Sequence, residues 1–393
     1  MQDDDFSGAG MHDRKAVARL LLAAGLVLLL APARAQQPAL AGLDPEAEVT
    51  PVGRVTLEVE QSPREERLLD VGLAVFDAGI PADASTHSAL GIFPEIRKAE
   101  AQYIPVLLRN VLQNANAWGV VRVLPDEQTT SELLVTGRIL HSDGQFLALQ
   151  VRALDATGRQ WLDRTYLDEA GEGDYPVRES QDPYADLYRR IANDLLAARR
   201  QLDEAELRSI REVALLRYAA SLSEEAFGGF LQRDPAGRYR VLRLPAQGDP
   251  MMERVERIRN QEHLFVDTVD EQYVKLYEQM ATTYSLWRQY DREQALYRQD
   301  YEQRAQGRER YGQRGSFVAM EQTYNMYKQI KIQQQDLDEM ALGFNNEVAP
   351  TVMEASGKVF RLSGTLESQY NEWRDILRRI FALETGLPAD TPG

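Results

Sequence analysis

From residue 250 to residue 304 the chain carries apolar side chains near heptad spacing, at Val255, Ile258, Phe265, Val269, Leu276, Met280 and Trp287. A helix of about 55 residues rises roughly 80 Å at 1.5 Å per residue, and it needs something long to pack along. Asp249 followed by Pro250 has the form of an N-cap and a first-turn proline. A second run, residues 350–383, steps by threes and fours through Val352, Ala355, Val359, Leu362, Leu366, Trp373, Ile376, Ile380 and Leu383. That is the spacing of a coiled-coil seam. Glu262 and Gln369 interrupt the two seams, where polar groups set register at a cost in stability. A Gly- and Arg-rich linker at 306–315 and a helix over 316–346 are expected between them, so residues 249–386 predict an elongated helical hairpin.

Upstream the period changes. Two extended segments are expected at 54–59 and 69–76; in the second, Val71, Leu73 and Val75 alternate with Gly72, Ala74 and Phe76, so both faces are apolar or small. Residues 94–117 carry a helical stripe through Ile96, Tyr103, Ile104, Leu107, Leu108, Val111 and Leu112, with Pro105 inside it. This predicts a kink, or a helix that starts near residue 103. A strand at 119–124 follows, then strict alternation at Leu133, Val135, Gly137 and Ile139, and again at Leu147, Leu149, Val151 and Ala153. The turns Ser142-Asp143-Gly144-Gln145 and Thr157-Gly158 join these into a three-strand meander ending at 160–167. A helix over 182–200 covers the sheet. Two helices are expected at 203–222 and 223–232, the second capped by Ser223, before a break at 234–250. The fold class is α+β: a small mixed sheet with helices over 53–200, a helical connector over 201–248, then the elongated all-α region and a short tail at 387–393.

The amino-terminal end reads as an export signal. Residues 11–35 combine Arg14, Lys15 and Arg19 with an apolar run at 20–30 and the small residues Ala33 and Ala35 before Gln36. The apolar run is too short to span a bilayer, which takes roughly 20 residues. Asp3, Asp4 and Asp5 do not suit the start of a signal, so translation is expected to begin at Met11, with a signal peptide over 1–35 and a Pro- and Ala-rich tether over 36–52. The expected location is the periplasm, with no direct membrane anchor after cleavage. The chain has no cysteine, which excludes disulfides, thiolate metal sites and an acylated N-terminal cysteine. A net charge of −16 with no basic stripe argues against nucleic acid as partner.

Catalytic motifs are missing. His12, His87, His141 and His263 have no ligand spacing, and no cofactor or metal is expected. No nucleophile elbow, phosphate loop or dinucleotide fingerprint occurs. The acids Asp70, Asp77, Asp83 and Asp155 flank strands, where turn formation is their common use; a wall- or carbohydrate-acting hydrolase would employ a pair such as Asp77 and Asp155. The most distinctive surface candidate is the row Tyr273, Tyr277, Tyr284, Trp287, Tyr290, Tyr297 and Tyr301, extended by Tyr311 and interleaved with Arg and Gln. Such rings either pack beside a seam with the hydroxyl exposed or form a partner or glycan surface.

Residues 70–76 (DVGLAVF), 107–112 (LLRNVL), 118–124 (WGVVRVL), 133–137 (LLVTG) and 151–155 (VRALD), with Gly158, resemble the amino-terminal domain of TolB. They are similar also to the related domains of curli-secretion and penicillin-binding-protein-activator lipoproteins. The resemblance covers roughly 69–168, and it implies a non-catalytic α/β domain that docks on envelope proteins or self-associates. The carboxy-terminal half resembles neither a β-propeller nor a β-barrel. The expectation is a non-catalytic periplasmic scaffold, accessory to envelope transport, secretion or wall assembly, with envelope proteins or further copies of itself as partners. The alternatives are the hydrolase and an oligomeric outer-membrane secretion component.

Overall fold

The computed structural model describes residues 49–309, except 88–89, 128–130 and 176–181, and residues 350–387. The expected signal peptide, most of the expected tether, the helix expected over 316–346 and Tyr311 lie outside these residues.

The mixed sheet forms from the alternating segments. β1 (Val71–Ala74) lies between β2 (Val121–Leu124) and β3 (Leu133–Ser142), parallel to both, and β4 (Phe146–Asp155) and β5 (Gln160–Glu169) extend it antiparallel in the order β2-β1-β3-β4-β5. All four residues of β1 are buried, as a central strand with apolar side chains on both faces requires. The face bearing Val71, Leu73, Leu133, Val135, Leu149 and Val151 packs against α1 (Pro94–Asn114) and α2 (Ala185–Arg200). Gly137 sits on that face because Phe76 fills its space: a Cβ there would lie 2.5 Å from the ring. Pro105 falls inside α1, which begins at Pro94 and not near residue 103.

Residues 54–59 form no strand. Two of their N–H groups find side chains of α2 and not a neighbouring strand: Val55 donates to Asp186 Oδ1 (3.0 Å) and Glu58 to Asn193 Oδ1 (2.9 Å). The end of the tether is also held, since Val52 N–H donates to Leu167 O on the outer edge of β5 (2.8 Å).

α3 (Glu204–Leu222) starts at a capping box in which Asp203 and Glu206 bond each other's backbone N–H. The helix expected over 223–232 is only α4 (Glu224–Phe227), capped by Ser223. Beyond it the supposed break is a hairpin, β6 (Leu231–Arg233) with β7 (Tyr239–Val241), turned through Asp234 and Gly237.

α5 (Pro250–Glu309) is one helix of 60 residues, and Asp249 caps it by accepting from Met251 N–H (2.8 Å). The second long helix is not there. Residues 351–362 form a hairpin, β8 (Thr351–Ala355) with β9 (Lys358–Leu362), followed by α6 (Leu366–Thr385). Ser356 and Gly357 both take positive φ, 49° and 72°, the conformation of a two-residue hairpin turn. Val352 and Val359, read as seam residues, face outwards, while Ala355 and Leu362 are buried. From Leu366 onward Leu366, Trp373, Ile376 and Ile380 are buried and Leu383 is exposed.

α5 does not run free of the sheet. Its first half packs with α6, α3 and residues Val106, Val123 and Leu124; its middle packs Met280, Tyr284 and Trp287 against Ile96, Ala99 and Tyr103 of α1. β2 is an edge strand, and Asp270 of α5 closes it: Oδ1 accepts from Val123 N–H (2.8 Å) and Oδ2 from Arg109 (2.6 Å). Open strand edges invite pairing with other chains, and this one is covered. Glu262 and Gln369 are buried with partners, Glu262 accepting from the Tyr370 hydroxyl (2.8 Å) and Gln369 bonding Thr351 N–H and Gly364 O. The described residues all lie in one compact unit, residues 41–393, and none of their helices is long and apolar enough to cross a membrane.

Candidate functional site

The tyrosine row faces inward over the length for which its side chains are described. Tyr273, Tyr284 and Trp287 are buried, and Tyr277 and Tyr290 are half-buried against the α1–α5 core. Tyr297 and Tyr301 lie on α5, but their side chains are outside the described ones. Spacing alone told that these rings share a helix stripe. It could not tell that α1 lies on that stripe, nor that Tyr103 and Tyr188 complete the set from other helices.

Where α1, α2 and α5 meet they leave a cleft of about 630 Å³, a volume typical of small-molecule sites. Its walls are aromatic: Tyr103 stands between Tyr277 and Tyr284, with ring centroids 4.6 and 4.3 Å away, and Tyr188 comes from α2. Neutral polar side chains line it further, Asn110 and Asn114 from α1 and Thr282, Ser285 and Gln289 from α5.

Behind the rings lies a buried charge cluster. Glu100, fully buried, accepts from the Ser142 hydroxyl (2.7 Å) and the Tyr284 hydroxyl (2.8 Å), and pairs with Arg288 (3.1 Å) and Arg97 (3.2 Å). Arg288 donates from Nε to the Tyr284 hydroxyl (2.6 Å) and lies over the rings of Tyr184 and Tyr284 at 4.7 and 4.9 Å. A lone buried charge is costly, and this one is compensated by an ion pair, a hydrogen bond and two ring faces. Two side chains that line the cleft each carry an unsatisfied donor: among the described residues, neither the Tyr188 hydroxyl nor Nη1 of Arg288 has a hydrogen-bond partner, although both side chains are 1% exposed. Burial raises the Tyr188 pKa well above the ordinary value, so the hydroxyl keeps its proton.

The strand-flanking acids do other work. Asp155 is buried and saturated, Oδ1 accepting from Thr157 and Arg159 N–H and Oδ2 from the Trp161 indole (2.9 Å). Asp77 accepts from Gly79 N–H and pairs with Arg138 (3.3 Å). Asp155 is aligned with Leu133 and Asp77 with Arg138, so about five residues of strand, roughly 17 Å, separate them along the sheet. Paired-carboxylate hydrolysis uses separations below about 9.5 Å. Asp83 caps a turn through Ser85.

Asp70 does meet another acid: Glu132 Oε2 accepts from Asp70 N–H (2.9 Å), and Asp70 Oδ1 from Val120 N–H (2.8 Å). With Arg122, Arg259 and His263 they line a second, much smaller cavity of about 50 Å³. Burial raises the Glu132 pKa and lowers that of His263. The space holds about three to five solvent molecules, and the carboxylates are spent on the strand ends. Of the histidines, His87 bonds Pro81 O and His141 meets Asp143 at 2.9 Å; no group of three metal-ligating side chains occurs among the described residues.

No family of known proteins, no curated protein and no solved structure matches this chain.

Proposed function

We propose that this chain is an exported, non-catalytic recognition protein of a bacterial envelope, a periplasmic accessory to transport, secretion or wall assembly, and that the α1–α2–α5 cleft is where it recognises its target. The observation that carries this reading is the chemistry of the cleft. It combines large aromatic walls with amides, hydroxyls and a compensated arginine, which serve binding. The signal-like residues 11–35 and the resemblance of 69–168 to envelope docking domains support the location and the mode of action.

A photo-crosslinking residue in place of Leu286 tests it directly. That side chain lines the cleft and is 65% exposed. In intact cells it should capture an envelope component, whereas the same group at Arg164, an exposed position on β5, should not. Fractionation of those cells should recover the product with the periplasm or outer membrane. Recovery of uncrosslinked monomer alone, or recovery from the cytoplasm, would sink the proposal.

A further inference from the structure

We propose that the cleft binds a neutral saccharide of about two rings, an inference that rests on reading the cleft as the recognition site. Three independent features of its lining converge on that ligand class.

The first is the wall. Tyr277, half-buried, presents ring surface to the space between α1 and α5, backed by the buried rings of Tyr103 and Tyr284, and a tyrosine ring packs well on the flat C–H face of a pyranose. Tyrosine is suited to this, being an apolar plate with a polar handle.

The second is the charge balance. Arg288 is matched by Glu100, Arg189 by Asp186 (2.8 Å), and Asp182 adds a carboxylate to the same space. An anionic ligand would meet Asp182 and find Arg288 engaged; a cationic one would compete with Arg288. A ligand without charge disturbs neither, and the amides and hydroxyls of Asn110, Asn114, Thr282, Ser285 and Gln289 match its hydroxyl groups.

The third is the pair of unsatisfied donors. The Tyr188 hydroxyl and Nη1 of Arg288 are buried without partners among the described residues. A buried donor left unpaired costs stability, and a ligand oxygen that accepts from it recovers that cost. Ring oxygens, hydroxyls and acetamido carbonyls are such acceptors. The volume, about 630 Å³, suits a disaccharide and excludes a long chain lying wholly within it.

The experiment is titration of the purified full chain with two neutral disaccharides, chitobiose and cellobiose. Calorimetry and ligand-observed saturation transfer report binding, with benzoate and a tyrosine-containing tripeptide as competing ligand classes. At least one disaccharide should bind more tightly than benzoate or the tripeptide. Tyr188→Phe should weaken it by about fivefold, the scale of one hydrogen bond, while melting no lower than the parent, because the hydroxyl removed has no partner in the free chain. Ala281→Trp, which fills the cleft, should abolish binding. Preference for benzoate or the tripeptide overturns the inference, as does disaccharide binding unchanged in Tyr188→Phe. If Leu286 crosslinks an envelope component while neither disaccharide binds, the ligand class is wrong and the recognition site stands. If a disaccharide binds in the cleft while Leu286 captures nothing, the site and its ligand class stand and the envelope component as partner is wrong.

Discussion

Asp168 shows how one side chain can make this protein sensitive to pH. It is buried at the end of β5, where Oδ2 accepts from Leu187 N–H in the first turn of α2 (3.2 Å) and Oδ1 from Glu169 N–H (3.0 Å). Burial outweighs these bonds and pushes its pKa up to about 7. A carboxyl raised in the folded state binds its proton more tightly there than in the unfolded chain. Its stabilising contribution is therefore complete below the unfolded value near 3.8 and is lost as pH rises through about 7. Asp168→Asn removes the titration and keeps an amide oxygen for the helix. The melting temperature of Asp168→Asn relative to the parent should accordingly rise between pH 5 and pH 8; a difference that stays flat across that range would contradict the assignment. Sequence reading passed over Asp168 and Glu100 alike, because what buries them comes from elsewhere. The hydroxyl that bonds Glu100 from α5 is 184 residues away, and no local pattern marks such a meeting.

At the scale of elements, what was legible depended on whether the pattern had one physical solution. The meander from Leu133 to Glu169 has period two and polar turns, and it folds as read. Residues 350–383 satisfied a three-four spacing that a hairpin followed by a helix also satisfies. The Ser356-Gly357 pair, with a positive φ at both residues, and the β-branched Thr351, Val352 and Val359 were the signals for the hairpin. Residues 54–59 failed for the opposite reason, their strand-like composition being paired with side chains of α2. The closure of β2 by α5 lends itself to measurement. Asp270→Ala removes the acceptor of Val123 N–H and the carboxylate partner of Arg109, which keeps only its bonds to Asn110 and Gln113, and it should cost about 3 kcal/mol in denaturant unfolding, the scale for breaking a buried pair. Asp270→Asn, which retains one acceptor oxygen, should recover part of that loss. Equal stability of Asp270→Ala and the parent would show that the edge needs no closure.

For the whole molecule, composition and period gave the α+β class and the order of the sheet-forming half, and they divided the chain near residue 200. The packing runs across that division. Val106, Val123 and Leu124 are covered from α3, α5 and α6, Ile96 and Tyr103 from α5, and Leu69 from α3. Residues 53–200 expressed alone should therefore expose those side chains, bind an apolar dye and melt without a sharp transition, whereas the full chain should unfold with one dominant transition. A cooperative, dye-free fragment would establish that the half is self-sufficient. The seal that Asp270 places on Val123 comes from 147 residues further along the chain. At translation rates of about 5–20 residues per second, roughly 7 to 30 seconds pass after β2 emerges before its cover exists. During that interval the nascent sheet offers an open template to any neighbouring chain. A chain kept unfolded until α5 has been synthesised would never present that template.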